Sequence, residues 1–251
     1  MASLDEIVAH LDSELRLAEI PDYPGALNGL QMQGGGEVRR VAAAVDASLP
    51  VVRKAVEAGA DLLVVHHGMF WTGAKAVTGA TYEKLKLAMD AGLAIYSVHI
   101  PLDVHPTLGN NARLVAELGL ADPEPFFEWK GILLGLRGRF EGSLDDLAAK
   151  AGEVLGSAPH VCPGGDEEAG MVGVISGGCG AEVEAIKGCG IDSFLTGEGP
   201  HWSYTVAEEV GLNVLYGGHY LTETFGVRAV GELLAGKFEL EWEFLDHPTG
   251  L

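Results

Sequence analysis

The segment DLLVVHH, residues 61–67, places a short apolar run directly before two adjacent histidines. An apolar run of this length predicts a buried β-strand. Two further strands are predicted, one before it in the chain at VRRVAAAVD (38–46) and one after it at AIYSVHIPLD (94–103). Helical patterns follow the three strands near residues 49–58, 81–91 and 109–118. Strands that alternate with helices indicate a largely parallel sheet covered by helices.

The second half of the chain resumes this alternation after a break. GLADPEPFFEWKG (119–131) interrupts the periodicity with acids and prolines, and we interpret it as a domain boundary or linker. Further strands are predicted at MVGVIS (171–176), DSFLT (192–196) and NVLYGG (213–218), with a last edge strand at KFELEWEFLD (237–246). The sequence therefore predicts an α/β fold of two subdomains, residues 1–122 and 123–251, with mixed, largely parallel sheets.

Charge and composition exclude several classes of partner. The chain has 251 residues, is 47% hydrophobic and carries a formal net charge of −20. A surface this acidic repels phosphate backbones and anionic membranes. Direct nucleic-acid binding and membrane binding are therefore not expected. Three widely spaced cysteines form neither a disulfide framework nor a CxxC zinc site. With no signal-peptide pattern and no apolar run of transmembrane length, the expected compartment is the cytoplasm.

Ionisable side chains recur where predicted strands end, which is the edge at which open α/β sheets bind ligands. They form three clusters, His66 with His67, then His99 with Asp103 and His105, and finally His219 with Glu223. Of these, His105 beside Pro106 has the context of an ordinary loop residue. His99 lies within its predicted strand, where it suits a core or ligand-orienting role. Glu198 and His201 in TGEGPHW (196–202) follow another strand and are candidate pocket residues.

Glu223 raises a specific question, because its own hydrophobic pattern places it on a buried helix face. It shares the 4-3-4 spacing of Val227, Val230 and Leu234. One interpretation places Glu223 in a first turn behind Thr222 as N-cap, where a negative charge suits the helix dipole. The other is that bound cations neutralise the carboxylate, because an unpaired buried charge is costly.

The three clusters together suggest metal binding. Imidazoles and carboxylates without thiolates suit Zn²⁺, Mn²⁺, Fe²⁺ or Co²⁺. His66, His67, Asp103, His219 and Glu223 are more ligands than one catalytic zinc takes from protein, whereas two divalent ions bridged by a carboxylate would use all five. By contrast, the chain has no Gx-Ser-xG elbow, and Cys179 has no base nearby in sequence. A nucleophilic serine or cysteine enzyme is therefore a poor fit.

The motifs, in this order, resemble the Nif-three-like family, whose members are described as GTP cyclohydrolase 1 type 2 homologues. The resemblance rests on NGLQMQG (28–34), VVHHGMFW (64–71), YSVHIPLDVHPTLGNNARLVAELGL (96–120), ISGGCG (175–180), DSFLTGEGPHW (192–202) and GGHYLTETFGVRAV (217–230), and it spans essentially the whole chain. The sequence departs from the family pattern in two places. After the double histidine, Gly68, Met69, Phe70 and Trp71 stand where the family commonly has Pro-Leu and aliphatic residues, and Pro101 stands where it commonly has Asn.

The resemblance implies two α/β subdomains with a dinuclear metal site between them. It implies that His66, Asp103 and Glu223 hold one metal and that His67, His219 and Glu223 hold the other, so that Glu223 bridges. It also implies a toroidal homohexamer. The cyclohydrolase description suggests a small-molecule substrate, in particular a purine nucleotide.

The leading functional hypothesis is a metal-dependent hydrolase whose metal-bridged hydroxide is the nucleophile. Glu223 would take part in the chemistry, and His99, Glu198 and His201 would move protons. The alternative is a non-catalytic metal-binding protein that regulates or delivers metal through protein partners. Both hypotheses need the same ligands.

Overall fold

The computed structural model describes residues 1–71, 73 and 75–251 and shows a mixed α/β fold. The strands are β1 (Ala2–Ser3), β2 (Gly29–Met32), β3 (Glu37–Val38), β4 (Arg40–Asp46), β5 (Leu62–His67), β6 (Ala94–Ser97), β7 (Ala121–Trp129), β8 (Ile132–Ser143), β9 (His160–Pro163), β10 (Glu168–Val174), β11 (Ser193–Thr196), β12 (Asn213–Tyr216) and β13 (Glu241–Phe244). The helices are α1 (Leu4–Glu14), α2 (Leu49–Glu57), α3 (Gly79–Ala91), α4 (Ile100–Asp103), α5 (Asn110–Leu118), α6 (Leu144–Leu155), α7 (Val183–Gly188), α8 (His201–Val210), α9 (His219–Thr222) and α10 (Thr224–Phe238). A 3₁₀ turn spans Gly180–Glu182.

The chain folds into two units, each with its own sheet. Unit 1 comprises Met1–Leu102 and Gly226–His247, and unit 2 comprises Asp103–Phe225 and Pro248–Leu251. The chain thus leaves unit 1 at residue 103, and a late segment returns to it. The two subdomains expected from the sequence, 1–122 and 123–251 of one compact two-part unit, stay a prediction.

Unit 1 contains a sheet in the order β13-β4-β5-β6-β2. The pairs β13–β4, β4–β5 and β5–β6 are parallel, whereas β2 runs antiparallel to β6. The apolar part of β5, Leu62 to Val65, is completely buried, as expected of a central strand covered on both faces. Helix α2 packs Val51, Val52 and Ala55 against this core. The predicted alternation of strands and helices in this part of the chain is confirmed.

Unit 2 contains a second sheet in the order β7-β8-β10-β11-β12-β9. Its central pairs, β10–β11 and β11–β12, are parallel, and the outer pairs are antiparallel. Leu147 and Ala151 of α6 pack against Val172 and Leu195 of this sheet. Each unit therefore has a mixed sheet whose parallel strands point their carboxyl ends toward one edge.

The interpretation of 119–131 as a linker is wrong, because residues Ala121–Trp129 form β7, which pairs antiparallel with β8. The domain boundary there stays a prediction. The connecting turn has Lys130 and Gly131 at φ values of 48° and 82°, and two successive positive φ values are typical of a tight type I′ hairpin. The prolines are accommodated because β7 is an edge strand. Acids and prolines alone do not distinguish an exposed edge hairpin from a linker.

The final predicted strand is shorter than expected and belongs to the sheet of unit 1. Lys237 and Phe238 still belong to α10, which ends before Glu239 at a φ of 54°. β13 then begins at Glu241 and pairs in parallel with β4 of unit 1. Among the described residues, no helix has the length and apolar character needed to cross a membrane.

Candidate metal centre

Three imidazoles lie together in unit 1. His66 and His67 end β5, and His99 follows β6, the neighbouring strand. The ring centroid of His66 lies 4.9 Å from that of His67 and 4.8 Å from that of His99. Each of the three histidines offers a ring nitrogen within 4.8 Å of the others, a spacing that could hold a metal ion. The sequence suggests an orienting or proton-moving role for His99, whereas its position also makes it a candidate ligand.

The Nδ1 atoms of these three rings are held by oxygen acceptors. His66 Nδ1 lies 2.9 Å from the Val98 carbonyl oxygen, and His67 Nδ1 lies 2.9 Å from Asp46 Oδ1. His99 Nδ1 lies 2.8 Å from Asp22 Oδ1. Because a carbonyl or carboxylate oxygen can only accept, each Nδ1 carries the proton, and Nε2 is the lone-pair nitrogen of the neutral ring. This is the arrangement by which proteins orient metal-binding histidines.

Asp22 organises the surroundings of His99. Its Oδ2 accepts hydrogen bonds from Asn28 Nδ2 at 2.8 Å and from the Ile100 backbone N–H at 3.0 Å. Asn28 Oδ1 in turn accepts from the His99 backbone N–H at 2.8 Å. Burial alone would raise the pKa of Asp22, but the hydrogen bond and charge of His99, with donors from Asn28 and Tyr23, outweigh it and lower the pKa. The Asn28 of NGLQMQG therefore has a structural role at this site.

In unit 2, Asp103 is a buried carboxylate with two side-chain donors. Asn110 Nδ2 donates to Asp103 Oδ1 at 2.8 Å, and Ser176 Oγ donates to the same oxygen at 2.9 Å. Asn111 Oδ1 accepts from the Ser176 backbone N–H at 2.9 Å, which fixes the end of β10 beside α5. The two donors on Oδ1 fix the orientation of the carboxylate.

His219 and Glu223 form the second cluster of unit 2. Glu223 is only 2% exposed and lies between α9 and α10, so Thr222 ends α9 instead of capping a helix that contains Glu223. The predicted apolar stripe after it is confirmed, because Val227, Val230 and Leu234 are fully buried. His219 Nε2 lies 3.1 Å from Glu223 Oε1. The sequence is therefore right that this acid faces inward.

A second carboxylate holds the other nitrogen of His219. His219 Nδ1 lies 2.9 Å from Glu198 Oε1. Burial would lower the pKa of His219, but the hydrogen bonds and charges of Glu223 and Glu198 outweigh it and raise the pKa to about 9. Two carboxylates around one imidazole create a strongly negative environment that favours cations.

The Gly-rich turn after β10 contacts Glu223. Gly177 has a φ of 68°, and a Cβ atom there would lie 2.3 Å from Glu223 Oε1. A side chain at Gly177 would strain the backbone and force the Glu223 carboxylate to move. Nearby Cys179 is partly buried, and burial, with the charge of Glu182, raises the pKa of its thiol to about 12. A thiol with so high a pKa is a poor nucleophile, which agrees with the sequence-based argument.

His201 occupies a different position from the other candidates. It is exposed at the start of α8 and lines a cavity of unit 2 that Glu198 also lines. His105, an ordinary loop residue by its sequence context, accepts hydrogen bonds through Nδ1 from the backbone N–H groups of Thr107 and Leu108. It stabilises a turn.

Of the residues that orient the candidate ligands, Glu198 is a sequence-based candidate, and four others are not. These four are Asp22, Asp46, Asn110 and Ser176. Asp46 could have been found from the sequence, because it is an acidic residue at the end of an apolar strand pattern. In the structure that strand lies beside β5, and Asp46 pairs directly with His67. Asp22 has none, since it lies in an irregular segment 77 residues before His99.

The fold and these clusters define a class: a mixed α/β protein with groups of histidine and carboxylate side chains that could hold a metal ion. Residues 2–249 match the family model described as Duf34/NIF3 (NGG1p interacting factor 3). The chain belongs to the DUF34/NIF3 family, as the resemblance predicted.

Similar proteins cover nearly the full chain. A GTP cyclohydrolase 1 type 2 homolog of Deinococcus radiodurans is 45% identical over 250 residues, with 98% of this chain and 94% of the relative covered. One from Pyrococcus horikoshii is 41% identical over 251 residues, with 98% and 99% covered. The crystal structure of TTHA1606 from Thermus thermophilus has a TM-score of 0.91 and 40% identity, with 100% of both chains covered.

Proposed function

We propose that this protein is a metal-dependent hydrolase that uses two divalent metal ions per chain. The proposed ligands are His66 and His67 of unit 1 and Asp103, His219 and Glu223 of unit 2, with Glu223 as the bridging carboxylate. Zn²⁺, Fe²⁺, Mn²⁺ and Co²⁺ all suit imidazole and carboxylate donors. The proposal extends the metal-binding capacity of the individual clusters to a single centre with a defined ligand set.

One observation carries the proposal: four imidazoles present Nδ1 to a protein oxygen. For His66, His67 and His99 this leaves Nε2 as the lone-pair nitrogen of the neutral ring, and in His66 and His67 that nitrogen would bind the metal. For His219, Nδ1 faces Glu198, while Nε2 faces Glu223 Oε1, where a cation can replace a proton. Histidines that serve only packing have no reason to share this orientation, so the donor set fits transition-metal ions.

The side chains around the proposed centre have separate tasks. Bound divalent metals supply Lewis acidity and lower the pKa of water toward neutrality. Asn110 and Ser176 hold the Asp103 carboxylate in one orientation. Asp46 and Glu198 do the same for His67 and His219.

We assign proton movement to His99 and Glu198, with His201 as a further candidate. His99 is held by Asp22 and packs against His66 and His67. Glu198 contacts His219 and also reaches the cavity that His201 lines. These contacts suit both groups to accepting or donating a substrate proton.

The substrate is a small molecule, and a nucleotide is the first class to test. The relatives from Deinococcus radiodurans and Pyrococcus horikoshii are each described as a GTP cyclohydrolase 1 type 2 homolog. A cyclohydrolase opens a ring at a C–N bond by adding water. The proposed reaction for this chain is the same kind of hydrolysis, and the cytoplasm is the proposed compartment.

A turnover screen tests the hydrolase. Metal-replete protein is incubated with nucleotides and cyclic amides, and products are separated by liquid chromatography. We expect one substrate to be converted, with conversion lost after chelation and in Glu223→Gln. Conversion that is unchanged in Glu223→Gln would contradict the proposal. Full metal content without turnover of any compound would instead favour the metal-binding regulatory or delivery role.

A further inference from the structure

Unit 2 contains a cavity of about 400 Å³ beyond the carboxyl ends of β11 and β12. Its volume is in the range of small-molecule sites, and the carboxyl edge of parallel strands is where α/β folds bind ligands. Its lining includes aromatic rings from three elements and one carboxylate, namely His160, Tyr204, Tyr216 and Glu198.

The three rings form an aromatic wall, which we define as His160, Tyr204 and Tyr216. His160 is stacked on Tyr216 with 6.2 Å between ring centroids and an interplanar angle of 29°. The His160 and Tyr204 centroids lie 5.8 Å apart. Aromatic side chains pair with another planar ring in offset-stacked or edge-to-face arrangements.

The hydroxyl groups beside the aromatic wall are already used within the protein. Ser203 Oγ donates to the Pro200 carbonyl oxygen at 2.7 Å. The Tyr216 hydroxyl lies 2.7 Å from Ser203 Oγ and therefore donates to it. The hydroxyls of Ser203 and Tyr216 are thus engaged with each other, which leaves the carboxylate of Glu198 as a charged group of the cavity that can recognise a ligand.

Glu198 supplies that recognition. One of its oxygens, Oε1, accepts from His219 Nδ1, while its side chain is 47% exposed beside the cavity. An ionised carboxylate has about four lone-pair positions and only accepts hydrogen bonds. A ligand matched to Glu198 must therefore present N–H or O–H donors on its edge.

We propose that this cavity binds a planar heteroaromatic ring that stacks on the aromatic wall and directs adjacent N–H donors to Glu198. Guanine has this edge, with N1–H beside the 2-amino group, whereas adenine has no N1–H. The inference deepens the proposed function, on which it rests for the role of the ligand as substrate. It assigns the substrate ring to unit 2 and makes Glu198 the link between that ring and His219.

Nucleoside binding tests the assignment directly. Guanosine and adenosine are titrated separately into the purified full-length protein by equilibrium dialysis. We expect guanosine to bind roughly tenfold or more tightly, because a charged acceptor distinguishes the two donor edges. Glu198→Gln should abolish that preference, since the amide keeps an oxygen for His219 Nδ1 but presents N–H groups to the ligand. Glu153→Gln, an exposed change on α6, is the matched control.

The aromatic wall is tested by a second pair of variants. His160→Ala should weaken both nucleosides by about tenfold, because stacking of one base on one ring is of that order. His160→Phe keeps a flat ring and should retain binding. His160 is exposed on edge strand β9, so neither change threatens the core.

Each outcome decides the assignment separately from the proposed function. Absence of guanosine binding at millimolar concentration, or equal binding of both nucleosides with no effect of Glu198→Gln, overturns it. Metal content is measured on the same samples. If guanosine binding depends on Glu198 and His160 but the protein takes up no metal, the cavity assignment stands and the hydrolase proposal fails.

Discussion

His219 Nε2 lies 3.1 Å from Glu223 Oε1, across the short break that separates α9 from α10. This relationship joins an imidazole and a buried carboxylate, and Gly177 packs against the same carboxylate oxygen. The break keeps Glu223 on the buried face while its carboxylate turns toward His219. The proposed bridging role of Glu223 depends on this local geometry.

Glu223→Gln tests the bridge. The amide is almost the same size but carries no charge, so both metal ions should bind more weakly. We expect metal content after metal-replete expression and gel filtration to fall from about two ions per chain to well below one. Elemental analysis measures this, with exposed Glu232→Gln on the same helix as the control. Unchanged metal content in Glu223→Gln would rule out the bridge.

His66→Ala should remove mainly one of the two metal ions. His66 is assigned to one ion only, so about one ion per chain should remain after the removal of a single imidazole ligand. Elemental analysis again provides the count, and His160→Ala controls for the loss of a histidine outside the ligand set. Equal loss of both ions would contradict the separate assignment of His66 and His67.

Asp46→Asn tests whether the orienting carboxylates matter. Asp46 accepts from His67 Nδ1 at 2.9 Å. An amide at this position can present N–H instead and favour the wrong tautomer, so metal affinity should fall by roughly 10–100-fold. Competition with a coloured chelator measures the affinity, and exposed Asp90→Asn is the control. Equal affinities of the two variants would mean that Asp46 does not orient His67 for metal binding.

These orienting contacts show which features of the candidate site the sequence can indicate and which it cannot. The candidate ligands are visible because each follows an apolar strand or starts an apolar helix face, and those patterns are local. The role of Asp22 cannot be recognised from the sequence, because its contact with His99 depends on the path of an irregular segment. The pairing of β13 with β4 is likewise not predictable from the sequence, because nothing in a short edge strand specifies its partner. Local periodicity predicts elements, whereas long-range pairing decides their neighbours.

Gly177→Ala should destabilise the fold more than an ordinary positive-φ glycine substitution. Gly177 and Gly156 have φ values of 68° and 73°, so alanine strains the backbone equally at both. Of these two, only Gly177 has an atom in the way, Glu223 Oε1 at 2.3 Å, whereas a Cβ at Gly156 meets nothing within 4 Å. We expect an additional loss of about 1–3 kcal/mol in the free energy of unfolding. Urea denaturation of both variants measures it, and equal losses would disprove the packing argument.

The assembly is a separate prediction. From the family resemblance we expect a closed ring of about six chains, a cyclic or dihedral homo-oligomer. Multi-angle light scattering on a gel-filtration column measures the number of chains. A monomer that persists at micromolar protein concentration would exclude the ring.

Anomalous diffraction from a metal-loaded crystal, collected on both sides of the absorption edge, tests the central claim most directly. We predict two anomalous peaks per chain, each about 2.0–2.2 Å from its nitrogen and oxygen ligands. One should be bound by His66, Asp103 and Glu223 and the other by His67, His219 and Glu223. No peak at these residues, or a single peak without contact to Glu223, would contradict the proposed centre.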